Sequence, residues 1–225
     1  MNTPTRSALD GRVVLVTGAG QRVGRAIAET LGTVGARVAV HYHNSRAGAD
    51  EAVAAIAASG GEAHGFPGDL ADPSTPERLV ASVVDRFGAL HGLVNSAASM
   101  LRTPLETVNA SEWDAVVALN LRAPFFLALA AAKAMPPEGG TIVNISDHMA
   151  FESWPSFVPH GIAKAGVAAM THQLAAALAP RVRVNGIAPG AVLAPLSWPA
   201  EEQRARSEEH PSELQSHSFI SYAVF

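Results

Sequence analysis

The sequence predicts an α/β fold in which a doubly wound parallel sheet is flanked by helices. Three observations predict it. Apolar runs of strand length alternate along the chain with longer segments of helical periodicity. The strand-like runs are rich in Val and Ile, as in strands that are buried on both faces. A glycine-rich turn joins the first run directly to the first helical segment.

Six strands and five helices follow from these patterns. We expect the strands near residues 12–17, 36–42, 62–67, 91–95, 140–146 and 181–187. We expect the helices near residues 23–34, 46–59, 74–87, 111–135 and 158–179. The most apolar helical stretch, 115–135, is interrupted by polar residues and a proline, which indicates a buried helix rather than a membrane span.

Composition narrows the class of protein. With 225 residues, of which 48% are hydrophobic and 16% charged, the chain suits one globular domain. Its formal net charge of −4 gives no reason to expect nucleic acid or an anionic membrane as a partner. The chain has no cysteine, and its polar first ten residues lack the apolar core of a signal peptide. We therefore expect a cytoplasmic protein with a small-molecule partner.

The glycine-rich turn is the most informative motif. It follows the run Val13–Val16 and opens the first helix, where unpaired backbone N–H groups and the helix dipole favour a negatively charged group. A plain tight turn would also need glycine, but the strand before it, the helix after it and a second strand at 36–41 favour a dinucleotide site. The residues predicted to form this site are Thr17, Gly18, Gly20, Arg22, Val23 and Gly24.

The segment after the second strand predicts which dinucleotide binds. A site for NAD has an acidic residue at this place to accept hydrogen bonds from the ribose, whereas His41 to Arg46 contains none. A 2′-phosphate would instead meet donors, and we expect these to be Arg22, His43 and Ser45, with Arg46 a further candidate. Asn44 is also expected to bind the cofactor. The prediction is therefore NADPH. His41 and His43 could alternatively share a strand face and bind a metal, but no carboxylate or cysteine set accompanies them, so we expect no metal.

Polar residues also follow the later strands, where the ligand of such a sheet lies. Asn95, Ser96 and Ala97 follow the fourth strand, Asp147 follows the fifth, and Pro189 and Gly190 follow the sixth. His160 and Lys164 are four residues apart and so share one helix face. Such a pair is usually solvated, but here it opens a helix beside loops that should line the cleft.

These motifs, in this order and spacing, resemble those of the short-chain dehydrogenases/reductases from residue 12 to about residue 200. Within that family the chain is most similar to the pteridine reductases. Arg22 stands where most members have glycine, His41-Tyr42-His43 ends the second strand, and Asp147 stands where most members have serine. The resemblance implies a Rossmann-type sheet, and dimers or tetramers built through the helices at 111–135 and 158–179.

The resemblance also implies roles for individual residues. Asp69 and Leu70 would contact the adenine, and Asn120 would complete a catalytic set with Asp147, Lys164 and position 160. In relatives that position is a tyrosine that protonates the substrate oxygen as hydride arrives, and the lysine holds the nicotinamide ribose. Here it is His160. An imidazole has an ordinary pKa of about 6.5, against about 10 for a phenol, so about a quarter of it is protonated at pH 7.

The substrate is predicted only by class. We expect an NADPH-dependent reductase of a small C=O or C=N compound, of which a pterin is one candidate. Pteridine reductases stack the pterin on a phenylalanine, whereas the matching residue here is Met100, which has no π-face. Phe151, Trp154, Leu193 and Trp198 could line an apolar pocket. The alternative is a protein that senses NADP(H) without turnover, because the tyrosine is replaced.

The end of the chain breaks the pattern. The string from Arg206 to His217 has neither helical nor strand periodicity. It can be interpreted as a disordered polar terminus or as translated sequencing-adapter DNA, and we favour the second. We therefore expect one dinucleotide-binding domain over residues 1–205 and a non-native or disordered tail over residues 206–225. The sheet would then lack its last strand, and the open edge would destabilise the chain.

Overall fold

The computed structural model describes residues 7–190 and the backbone of residues 220–222. Strands and helices alternate as the sequence predicts. The strands are β1 (Val13–Val16), β2 (Arg37–Tyr42), β3 (Glu62–Pro67), β4 (Gly92–Asn95), β5 (Gly140–Ile145), β6 (Val182–Ala188) and β7 (Ile220–Tyr222). The helices are α1 (Arg22–Thr33), α2 (Arg46–Ala58), α3 (Thr75–Phe87), α4 (Ala110–Val117), α5 (Ala123–Ala134) and α6 (Val158–Leu178).

The strands form one sheet in the order β3-β2-β1-β4-β5-β6-β7. The first six are parallel, which confirms the predicted fold class. The strand order runs one way from β1 to β3 and the other way from β4 to β6, so a crevice opens between β1 and β4 at their carboxyl ends. In sheets of this type that crevice is where the ligand binds.

Helices cover the sheet on both faces. On one face a core that includes Leu15, Leu93 and Ile142 packs against α3, α5 and α6. On the other face a second core that includes Val38 and Val40 packs against α1 and α2. The β-branched runs are therefore buried from both sides, as their composition predicts.

One element differs from the prediction. Residues 220–222 lie in the segment expected to be non-native or disordered, yet they form a short strand that pairs antiparallel with β6, with Ala188 opposite Ile220. The physical reason is that β6 is the last parallel strand. The backbone N–H and C=O groups on its outer edge can pair with another strand whatever the side chains of that strand are.

The longest helical segment is Ala110–Ala134, in which α4 and α5 are joined by one π-helical turn, Ala118–Arg122. By length and composition this segment could cross a membrane. Half of its most apolar window is nevertheless buried inside the protein, with Leu127, Ala128 and Ala131 in the main core. The burial agrees with the predicted core helix.

Candidate active site

A cleft of about 690 Å³ lies at the carboxyl ends of the strands, at the point where the strand order reverses. Most of the predicted site residues line it. They are Gly18, Arg22, Val23, Gly24, His43, Asn44, Ser45, Asp69, Leu70, Ser96, Ala97, Met100, Asp147, His160, Lys164 and Pro189. Further lining residues that the sequence interpretation did not assign to the site are Gln21, His41, Ala98, Leu119, Ile145 and Ser146.

The glycine-rich turn is held against the loop after β4. Gly18 has a left-handed φ of +66°, and a Cβ at this residue would lie 2.9 Å from the Cα of Ala97, so only glycine fits. Thr17 is buried, and its Oγ1 accepts hydrogen bonds from the N–H groups of Ser96 and Ala97, both at 3.0 Å. Thr17 therefore supports the two loops from beneath the cleft, where the sequence interpretation had placed it among the binding residues.

The amino end of α1 faces the cleft. Its N-cap residue, Gln21, makes no side-chain capping hydrogen bond, and its first turn has no acidic residue. No side-chain cap therefore occupies this end of the helix, and the helix dipole favours an anion there. Arg22, the first residue of the helix, has a φ of +50°, a left-handed conformation that is unfavourable for a residue with a side chain.

The segment after β2 lines the same end of the cleft. His43 Nδ1 lies 4.0 Å from Asp69 Oδ1, and both side chains are about half exposed. A Cβ on Gly20 would lie 2.4 Å from the Ser45 Oγ, so this glycine packs under the segment and does not line the cleft. Arg46 lies outside the lining and its guanidinium is 3.7 Å from Asp50.

His41 of β2 and His43, just after that strand, are not arranged to bind a metal. His41 is buried, and both of its ring nitrogens have backbone partners, Gly18 N–H and the Gly68 carbonyl. His43, in contrast, is exposed. Within residues 7–190, no group of three or more metal-ligating His, Asp or Glu side chains occurs.

At the other end of the cleft, Asp147 and His160 form a hydrogen-bonded pair. Asp147 follows β5, His160 lies in the first turn of α6, and the Asp147 Oδ2 is 2.7 Å from the His160 Nε2. The His160 side chain is only 2% exposed, whereas that of Asp147 is 22% exposed. The carboxylate is thus the more accessible member of the pair. Its other oxygen, Oδ1, accepts from the Met149 N–H at 2.9 Å.

The imidazole of His160 has a partner in each of its charge states. Nδ1 lies 3.0 Å from the Ser99 carbonyl oxygen and 3.2 Å from the Asn120 Nδ2. A protonated Nδ1 can donate to Ser99, and an unprotonated one can accept from Asn120. The ring can therefore gain or lose a proton without leaving a buried nitrogen unpaired.

Asn120 lies in the π-helical turn, a feature that is frequent at functional sites. Its side chain makes two hydrogen bonds to the backbone of Ser99, accepting from N–H at 2.9 Å and donating to the carbonyl at 2.8 Å. It is buried and does not line the cleft. Asn120 therefore contacts Ser99 and His160 rather than the cleft itself. Asn95 is likewise buried behind the cleft, where its amide donates to Asn144 and to Pro124.

Lys164 is one turn further along α6 and is also buried. Its ammonium donates to the Ile145 carbonyl at 2.9 Å. Burial lowers the pKa of Lys164, and the charge of Asp147 offsets only part of this effect. Burial by itself would raise the pKa of Asp147, but the His160 hydrogen bond and the charges of Lys164 and His160 outweigh it, so the pKa of the carboxyl is lowered.

Few of the proposed substrate residues reach the cleft. Met100 lines it and is exposed. Phe151 instead lines a separate small depression beside Thr171, and Trp154 packs edge-on against His148, with ring centroids 5.2 Å apart. Leu193 and Trp198 lie outside the described residues, and Gly190 does not line the cleft.

A sequence profile of the short-chain dehydrogenases matches residues 12–205. The chain belongs to the short-chain dehydrogenase family. The 3-oxoacyl-(acyl-carrier-protein) reductase of Synechocystis is 37% identical over 186 residues, which cover 82% of this chain and 75% of that protein. The chain is thus a member of an oxidoreductase family.

Two solved structures show the same likeness. The FolM alternative dihydrofolate reductase 1 from Brucella canis, complexed with NADP, has a TM-score of 0.82 at 33% identity, covering 90% of this chain and 81% of that one. The angucycline C-6 ketoreductase LanV with bound NADP has a TM-score of 0.77 at 35% identity. The match covers 81% of this chain and 74% of LanV. The short-chain dehydrogenase fold of this chain thus occurs in reductases of quite different compounds.

Proposed function

We propose that this short-chain dehydrogenase is an NADPH-dependent reductase of a C=O or C=N group in a small molecule. One observation carries the proposal. A single cleft joins the amino end of α1, which has no side-chain cap, to Asp147 and the buried His160 and Lys164. Such a cleft brings an anion-binding helix terminus and an acid–base pair within reach of one dinucleotide and one substrate.

The residues of the cleft fit a phosphorylated dinucleotide. Val23 and Gly24 would hold the pyrophosphate through backbone N–H groups, and Gly18 would let the main chain approach it closely. Arg22, His43 and Ser45 offer donors to a 2′-phosphate, and no acidic residue lies between residues 41 and 46 to repel it. The structures of FolM and LanV, both determined with NADP, support the same cofactor. When bound, NADPH supplies the hydride.

The chain's own residues would supply and place the proton. We assign proton transfer to the Asp147–His160 pair, because the two groups share one short hydrogen bond at the cleft. When the imidazolium releases its Nε2 proton to the carboxyl, the Nδ1–H bond to Ser99 keeps the neutral ring in place. Asp147 is the member that a substrate oxygen in the cleft reaches first. Lys164 would hold the ribose, and Asn120 would fix Ser99 and the ring.

The test is NADPH oxidation with a panel of carbonyl compounds, quinones and dihydropterins. His160→Ala should lower kcat by about 10²–10⁴-fold, the usual contribution of a general acid. The matched control is His172→Ala, an exposed histidine on the same helix, which should leave kcat unchanged. If His160→Tyr raises activity and His160→Ala does not lower it, the role given to the imidazole is wrong.

A specific observation favours the alternative of an NADP(H) sensor without turnover. Both ring nitrogens of His160 and both carboxylate oxygens of Asp147 already have partners within the protein. An acid that faces the substrate would have to give up one of these bonds. NADPH binding without oxidation by any member of the panel would favour the sensor.

Within the reductase proposal, a pterin-like substrate is the more specific candidate. The likeness to FolM, a dihydrofolate reductase, supports it, as do Arg22 and Asp147 in the pattern of pteridine reductases. Met100 can pack against a flat ring, although it cannot stack as an aromatic side chain would. Turnover of dihydropterins at a kcat/KM above that of simple ketones would support this substrate class.

We also propose a cytoplasmic homodimer or homotetramer. The helices expected to form the interface carry exposed apolar side chains, including Trp113, Phe125, Phe126 and Ile162. Burying such residues between subunits is favourable because it removes apolar surface from water. Sedimentation analysis of the wild-type chain and of Phe126→Lys tests this assembly, and a monomeric wild-type protein would contradict it.

A further inference from the structure

A buried histidine connects two of the loops that wall the cleft, and the chemistry above does not use it. His41 is in β2 and is 2% exposed. Its Nδ1 accepts a hydrogen bond from the Gly18 N–H at 3.2 Å, and its Nε2 lies 3.1 Å from the Gly68 carbonyl oxygen. Because an amide N–H can only donate and a carbonyl can only accept, the ring must be the neutral Nε2–H tautomer.

The surroundings keep this ring neutral. Burial lowers the pKa of His41 to about 4, against the opposing effects of the Gly68 hydrogen bond and the Asp69 charge, and with a smaller lowering by His43. A second proton on the ring would also turn Nδ1 into a donor that faces the Gly18 N–H donor. Burial therefore keeps the ring neutral, and its hydrogen-bond partners select the Nε2–H tautomer.

The position of His41 gives the tautomer a structural consequence. Gly18 begins the glycine-rich turn, and Gly68 precedes Asp69 and Leu70, which line the cleft. The main chain of β2 already holds both loops, because Ala19 N–H donates to the His41 carbonyl at 2.8 Å and Gly68 N–H donates to the Tyr42 carbonyl at 2.9 Å. The imidazole adds a second connection between the two loops, and because the ring is rigid it fixes the distance between Gly18 and Gly68.

We propose that His41 is a positioning residue that sets the spacing between the glycine-rich turn and the loop at Gly68, and thereby the affinity of the cleft for its dinucleotide. This inference rests on the proposed NADPH site. His41 contacts backbone groups rather than reacting atoms, so it should affect cofactor affinity and leave the chemical step unchanged. Binding should depend on which of the two hydrogen bonds is kept.

Two substitutions separate the bonds. The asparagine Oδ1 occupies nearly the place of Nδ1, so His41→Asn keeps an acceptor for Gly18 and loses the donor to Gly68. The glutamine amide reaches the place of Nε2, so His41→Gln keeps the donor and loses the acceptor. His64→Asn and His64→Gln are matched controls, because His64 is an exposed residue of the neighbouring strand β3.

The measurements are the NADPH dissociation constant by calorimetry, hydrogen exchange of the Gly18 amide, and kcat at saturating NADPH. His41→Gln should raise the dissociation constant about tenfold, the ratio for one lost hydrogen bond, and should speed exchange at Gly18. His41→Asn should keep Gly18 protected and change binding less. In both variants kcat should stay within about twofold of wild type. Unchanged binding and unchanged Gly18 protection in His41→Gln would overturn the proposal.

A measurement on the wild-type protein tests the proposal even if the His41 variants fail to fold. Nitrogen NMR of the His41 ring should show the Nε2–H tautomer, with no titration between about pH 5.5 and pH 8. The opposite tautomer, or a ring that titrates in that range, would refute the link. If the wild-type chain binds no NADPH at all, the proposed function fails, whereas the tautomer and the Gly18 exchange still decide the structural role of His41.

Discussion

Replacing Arg22 by glycine should raise stability and lower cofactor affinity. Arg22 combines a left-handed φ of +50° with a side chain that lines the cleft at the amino end of α1. The left-handed conformation costs a non-glycine residue about 1–2 kcal/mol. A guanidinium that binds a phosphate contributes about 1.5–3 kcal/mol, because hydrogen bonds between charged groups are the stronger ones.

Two variants separate these effects. Arg22→Ala removes the guanidinium and keeps the strain, whereas Arg22→Gly removes both. Both should weaken NADPH binding by about 10–150-fold, from the energy just given. Arg22→Gly should be more stable than Arg22→Ala by about 1 kcal/mol, which raises Tm by about 2–4 °C for a domain of this size. Calorimetry gives the affinities, and thermal and denaturant unfolding give the stabilities.

NADH and Arg46 provide the controls. NADH has no 2′-phosphate, so NADH should lose less affinity than NADPH if Arg22 binds that group. Arg46→Ala should leave both affinities unchanged, because Arg46 lies outside the cleft lining. Equal losses of affinity for NADPH and NADH would indicate that Arg22 contacts the pyrophosphate, which both cofactors have. No loss for either would refute the assignment, and equal stability of the alanine and glycine variants would refute the strain.

Three further predictions concern the acid–base pair and its support. Asp147→Asn should lower the free energy of unfolding at pH 7 by about 1–3 kcal/mol, because His160 and Lys164 lose a charged partner. Since folding lowers the pKa of Asp147, this stabilisation is present above its unfolded value of about 3.8 and is lost as the pH falls through the lower folded value, so the two proteins should converge in acid unfolding curves. Asn120→Ala should lower kcat while leaving the NADPH dissociation constant unchanged. The substitution removes two hydrogen bonds to the Ser99 backbone, which supports His160, and removes none to the glycine-rich turn. Unaltered kcat in single-turnover measurements would contradict that role.

The sequence predicts the fold well because the fold depends on local signals. Apolar runs mark the strands to within one or two residues, and the glycine-rich turn marks the point where β1 ends and α1 begins. The proposed acid–base end of the cleft is predicted by Asp147 after the fifth strand, by the four-residue spacing of His160 and Lys164, and by the family resemblance. These signals lie within single elements or at their ends, so a pattern along the chain is enough to find them.

Other features escape the sequence because they depend on long-range contacts. The link made by His41 joins residues 23 and 27 positions away, and no spacing rule connects them. The π-helical turn at Asn120 arises in a segment whose composition suits a regular helix. Gly20 and Thr17 were assigned to the binding site, but they pack beneath it. A β-strand at residues 220–222 depends on the free edge of β6 more than on its own sequence.

The charges of the site suit the transition state of the proposed hydride transfer. Of the described side chains, Asp147 is the carboxylate whose charge acts on both Lys164 and His160. When the imidazole is protonated, two buried cations therefore share one anion. Hydride addition to a carbonyl creates a second negative charge, on the substrate oxygen, beside these groups. The site is thus better matched to the transition state of reduction than to the uncharged substrate, which is the condition under which fixed charges accelerate a reaction.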